Sequence, residues 1–219
     1  MAQFLPFAGV RYTPAAGAID DLIAPPYDVV DDDDISALEA RSAHNSIRIE
    51  ASRPDAAAGR DRYQQAAHLY RSWQDDGALA AESEPAFYAY RMDFTDEQGA
   101  PRHTLGVIGA LQLMRPGEEG SDILPHERTT PKAKSDRLDV LRTVGANTSP
   151  VWGLSMTAGL SAHCSVDGPG AVTAVDEDGV RHTLRPITDA ATVAAISAAV
   201  AANPVVVADG HHRFEVALA

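Results

Sequence analysis

Helical and strand periodicities interchange from one end of the chain to the other, with no internal repeat and no low-complexity linker, and that alternation restricts the fold to the α/β class. AFYAYRMDF sets Tyr88, Tyr90, Met92 and Phe94 on one face by strict alternation, TDEQG supplies a turn, and RHTLGVIGALQLM returns as a long strand. VTAVDEDGVRHTL repeats the device around Asp178 and Gly179. FAGVRY predicts a first strand, SIRIE a short one and VVVA a buried one. Helices are expected after Asp31 to Asp34, whose carboxylates can cap the amides of ISALEARSA, and between Ala57 and Asp75, where Tyr63, Ala67, Tyr70 and Trp73 recur at helical spacing before Gly77. A third, alanine-rich, runs from Asp189 to Ala202.

Length and composition fit one globular unit. The 219 residues, 45% hydrophobic and 22% charged, are enough for a proper core, and a single domain over 1–219 is expected. A net charge of -13 opposes sequence-independent binding to a phosphate backbone, because such binding needs Lys and Arg to displace counterions. Nucleic acid is therefore disfavoured as a partner. The single cysteine, Cys164, allows no internal disulfide, and it has no basic neighbour that would favour its thiolate. The alanine-rich ATVAAISAAVAANPVVVA is too weakly apolar, and too broken by Asn203 and Pro204, to span a membrane. A cytoplasmic protein is expected.

Three segments could carry chemistry. In VVVADGHHRFEVALA an apolar strand meets an Asp-Gly break and then a helix opening with His211, His212 and Arg213. Gly210 lets the backbone approach an anion closely, Arg213 offers a permanently charged fork, the histidines add donors, and Asp209 could cap the helix or orient a histidine. A capped helix with solvated histidines explains the same pattern.

The second segment, ILPHERTTPKAKSDRLDVLR, holds Lys132 and Lys134, the only lysines of the chain, together with Arg128, Arg137 and Arg142. Such an electropositive island in an acidic chain suits a small phosphorylated ligand, although the same charges could simply decorate a solvated helix begun by Pro131. Glu127, between His126 and Arg128, stands where a carboxylate could accept a substrate hydroxyl proton. Third, Pro25 and Pro26 stiffen a loop carrying Tyr27 and Asp28, which could contact substrate or form a structural turn. Adjacent carboxylates at Asp31 to Asp34 point in different directions, so no metal-ligand set is expected there. Arg11 and Arg48 could face a phosphate or guard strand edges. Walker, Rossmann, nucleophile-elbow and H-E-x-x-H patterns are absent from the sequence.

PHE at Pro125 to Glu127, paired with DGHHR at Asp209 to Arg213, resembles the ParB/sulfiredoxin superfamily. PPYDV, HERT followed by K and DRL, and ADGHHRFEVAL together resemble domain-of-unknown-function family 1015. The resemblance implies a ParB/sulfiredoxin-like mixed sheet with flanking helices and an added β-hairpin region. It also implies kinship with free serine kinases, and so phosphoryl transfer to a small hydroxyl metabolite such as L-serine, with ADP or ATP and Mg²⁺. On that resemblance Glu127, with His126 and Asp209, takes the catalytic place. Gly210, His211, His212 and Arg213 take the phosphate cradle, with Arg128, Lys132, Lys134 and Arg137 beside it and Tyr27 and Asp28 on the substrate. The alternative is a non-catalytic ParB-like nucleotide- or DNA-binding regulatory module. The chain departs from the resemblance in lacking sulfiredoxin's cysteine within Ala208 to Arg213, in a long interval between Glu127 and DGHHR, and in ending at Ala219, where a C-terminal truncation relative to the family is expected.

Overall fold

The structure is a computed structural model that describes residues 2–115, 117–118, 120–124 and 131–219, the side chains of 131–135 excepted. In chain order it contains β1 (Phe4–Leu5), β2 (Val10–Tyr12), α1 (Asp32–Arg41), α2 (Ile47–Glu50), α3 (Arg62–Asp75), β3 (Leu79–Ala81) and β4 (Phe87–Thr95). There follow β5 (Pro101–Ile108), β6 (Ala110–Leu111), β7 (Ile123–Leu124), α4 (Pro131–Val144), β8 (Trp152–Ser155), β9 (Val172–Val175), β10 (Arg181–Ile187), α5 (Ala190–Ala201), β11 (Val205–Asp209) and α6 (His211–Ala217). The class is mixed α/β, as the interchange of periods predicts. The chain packs as two compact units, Met1–Gly9, Glu82–Thr130 and Pro150–Ala219 in the first and Val10–Ala81 and Pro131–Ser149 in the second.

The first unit is built on a four-stranded antiparallel sheet in the order β5-β4-β10-β9. Both expected hairpins are present. Asp96 closes the first by accepting the amides of Gln98 and Ala100, and Asp176 closes the second by accepting those of Asp178 and Val180. Alternation puts Phe87, Ala89, Leu105, Val107 and Ile187 on one face, where Ile196 and Val193 of α5, Phe4 and Cys164 cover them. Phe87 is fully buried and stacks on Phe4 with centroids 4.9 Å apart, a contribution of about 2–3 kcal/mol from burial alone. Asp189 caps α5 through the Thr192 amide.

A second sheet, β7-β11-β8, pairs β11 parallel to β7 and antiparallel to β8, so the last strand lies at its centre. Ile123 and Val207 pack there against Phe214 of α6. The long strand expected in RHTLGVIGALQLM breaks at Gly109, where the backbone passes so close to Phe4 and Phe87 that a Cβ would come 2.5 Å and 2.6 Å from their rings. After the break, β6 pairs with β1 instead. Of FAGVRY only Val10–Tyr12 forms a strand, β2, while Phe7 makes an isolated bridge to Ala86 and the Gly9 amide between them donates to the Tyr88 hydroxyl at 2.7 Å.

In the second unit α2, α3 and α4 pack around Trp73, Ala66, Ala67, Ile49, Val140 and Val144. Asp31 with Asp34, and Asp61 with Gln64, form capping boxes at α1 and α3. Asp31 and Asp34 therefore serve the backbone of their own helix. SIRIE corrects the sequence reading, since Ile47–Glu50 is the helical turn α2 and not a strand. Its Ile47 amide is held by the buried Asn45 side chain, and the Arg48 guanidinium donates to the carbonyls of Glu39 and Ser42 at the end of α1. Those bonds satisfy orphan carbonyls that an extended SIRIE would abandon.

Candidate functional site

The β11–α6 turn is the best-formed element among the expected sites. Gly210 occupies the left-handed region at φ 81° and ψ 29°, turning the strand directly into the helix. Arg213 folds back over it, and a Cβ at position 210 would lie 3.1 Å from the guanidinium nitrogens. Two bonds hold that guanidinium: Nη1 donates to the Pro150 carbonyl at 2.5 Å and Nη2 to Asp209 Oδ2 at 3.3 Å. Its side chain is 21% exposed, and among the described residues three of its five N–H donors remain unspent.

Asp209 thus pairs with Arg213, while Gly210 holds the cap position with no side-chain cap bond. His211 turns inward. It is buried, and its Nε2 donates to the Val207 carbonyl at 3.0 Å, which fixes the proton on that nitrogen. His212 is half-buried beside it.

A second constellation forms where two separate motifs meet. Tyr27 and Asp28 occupy the corners of a β-turn closed from the Val29 amide to the Pro26 carbonyl, and the Arg137 guanidinium carbon sits 3.7 Å from the Tyr27 ring centroid. Arg137 donates to Glu50 Oε2 at 3.0 Å, to the Glu50 carbonyl at 3.1 Å and twice to Asp136 Oδ2, at 2.7 and 3.0 Å. Asp136 also accepts from the Tyr63 hydroxyl and pairs with Arg62. Expected as a phosphate ligand, Arg137 has its charge consumed inside the fold, with a side chain only 7% exposed. The sequence reading missed Glu50 and Asp136. Asp136 passes for a surface helix residue, and nothing in SIRIE marks its last residue as an ion-pair partner 87 positions from Arg137.

His126, Glu127 and Arg128 lie outside the described residues, as do the side chains of Lys132 and Lys134 in the first turn of α4. Tyr27, Asp28 and Arg137 belong to the second unit, and Asp209 to Arg213 belong to the first.

Two further polar groups occur on the four-stranded sheet. The Tyr90 hydroxyl lies 2.7 Å from His182 Nδ1, and His182 Nε2 lies 2.9 Å from Asp176 Oδ2. Burial pushes the Tyr90 phenol up, aided by the nearby Asp176 charge. On the opposite face, Arg91 and Asp93 line a shallow groove of about 330 Å³ and clamp each other, so the arginine is already neutralised. The Cys164 thiol is buried and pushed up by desolvation, which disfavours its thiolate. Among the described residues no helix is long and apolar enough to cross a membrane.

These features define a mixed α/β protein with a glycine turn under a partly unspent arginine. The chain belongs to the family described as protein of unknown function (DUF1015), which matches residues 4–219. No curated protein and no solved structure matches it.

Proposed function

We propose that this chain is a small-molecule kinase of ParB/sulfiredoxin-like fold, cytoplasmic, transferring a phosphoryl group between ADP or ATP and a small hydroxyl metabolite, with L-serine as the first acceptor to test. The observation that carries the reading is Arg213. Its guanidinium is held across the Gly210 turn by Asp209 and Pro150, yet it keeps donors for a phosphate. The resemblance of PHE and DGHHR to the free serine kinases adds the chemistry.

In that chemistry the bond between the terminal phosphorus and the leaving nucleotide oxygen breaks as a bond to the acceptor hydroxyl oxygen forms. Glu127 takes the hydroxyl proton and Arg213 neutralises charge on the transferring group. Mg²⁺, brought by the nucleotide, would supply further charge neutralisation at its phosphates. His211, with its Nε2 proton committed to Val207, shapes the turn from inside, and Arg137 is left out of the phosphate set because four hydrogen bonds consume it.

A thermal-shift panel of ADP and ATP, with and without Mg²⁺ and serine, tests the proposal. The nucleotides raise the melting temperature of the wild type, and Arg213→Ala removes most of that shift. Binding to duplex DNA that weakens steeply with salt, with no shift from either nucleotide, supports the regulatory-module alternative instead.

A further inference from the structure

Among the described residues the sheet β7-β11-β8 packs α6 against one face. Val205 and Val207 alternate inward, whereas the register sets Leu124, Val206 and Leu154 side by side on the other face. Leu124 is 44% exposed, Leu154 50%, and Trp152, which shares the face of Leu154 along β8, 51%. A lone exposed leucine needs no explanation, but a row across three strands ending in an indole does.

The end of the row is also where the guanidinium sits. Trp152 is the register partner of Asp209, across a bulge between Val207 and Asp209, and Asp209 is the carboxylate on Arg213. Pro150, two residues before Trp152, supplies the carbonyl that anchors Arg213. One short segment, 150–152, therefore carries both an exposed indole and the carbonyl that anchors the Arg213 guanidinium. That adjacency matches a ligand with a planar heteroaromatic ring at one end and a polyanion at the other.

We infer that Trp152 is the stacking platform for the base of the nucleotide whose phosphates meet Arg213. The inference rests on the phosphoryl-transfer reading and adds to it a positioning residue on β8. Ring stacking on an aromatic side chain is sequence-tolerant, so the platform accepts purine nucleotides of either identity with similar affinity.

The test titrates ADP and, separately, inorganic pyrophosphate, both with Mg²⁺, into the full chain and its Trp152→Ala and Trp152→Phe variants by calorimetry. Intrinsic fluorescence provides a second readout, since Trp73 is 3% exposed and Trp152 is the tryptophan a ligand can reach. ADP quenches the wild type. Trp152→Ala binds ADP about 10-fold more weakly and pyrophosphate equally well, while Trp152→Phe restores most of the affinity. Unchanged ADP affinity in Trp152→Ala overturns the platform and leaves the phosphate site standing, as does equal weakening of both ligands. A wild type that binds neither probe overturns the platform and the kinase reading together. A change of oligomeric state in Trp152→Ala without any change in ADP affinity assigns the bare face to self-association and also overturns the inference.

Discussion

Two arginines with similar sequence credentials do opposite things, and the difference lies in how many of their donors the fold consumes. Among the described residues Arg213 makes two bonds and keeps three N–H groups, whereas Arg137 is clamped by Glu50 and Asp136 beneath Tyr27. Arg213→Ala should therefore weaken nucleotide binding and leave the urea midpoint nearly unchanged, a combination that binding and denaturation curves on one variant can check. Gly210→Ala should cost about 1–2 kcal/mol, because a Cβ is strained at φ 81° and meets the Arg213 guanidinium at 3.1 Å. The same substitution should lower ADP affinity by displacing that guanidinium. A variant as stable as wild type with unaltered binding would show that the left-handed turn has no part in the site.

At the scale of elements, the salt-bridge cluster joins α2, α3 and α4 to the Pro25–Pro26 loop. Removing Arg137 leaves Glu50 buried with both oxygens unpartnered among the described residues, where its Oε1 already lacks a donor. Arg137→Ala should destabilise the protein by about 3–5 kcal/mol in urea unfolding, and a loss below about 1 kcal/mol would contradict the clamp. The capping role of Asp31 to Asp34 and the two hairpins were legible in the sequence because their partners lie within a few residues, whereas the caps made by Asp61 and Asp189 and the closing of the second turn by Asp176 were missed. SIRIE was not legible. Its β-branched alternation fits a strand, and the bonds from Asn45 and Arg48 that make it helical depend on the position of α1. DGHHR announced the turn but not the inward rotation of His211, and the run VWGLSM gives no sign of which of its faces lies bare.

Across the whole molecule the acidic excess sets the response to pH. Asp93, held by Arg91, Asp96, held by Arg102 and the Ala100 amide, and Asp189, held by the Thr192 amide and hydroxyl, all lie below the usual carboxylate range. Burial pushes Asp176 up, but the hydrogen bonds from His182 and the Val180 and Asp178 amides outweigh it and leave it lowered too. A carboxyl lowered by folding binds fewer protons in the native state than in the unfolded chain. Its contribution is present above about pH 4 and is lost as pH falls through the folded value, so acid unfolding should begin below about pH 4. A urea midpoint constant from pH 5 to pH 2.5 would contradict this. The central claim is tested most directly by ³¹P NMR of Mg²⁺, serine and either ATP or ADP with the purified chain. The account predicts a phosphoserine resonance with the wild type and none with Glu127→Ala, which still binds nucleotide. Phosphoserine formed equally by both proteins, or by neither, would contradict it.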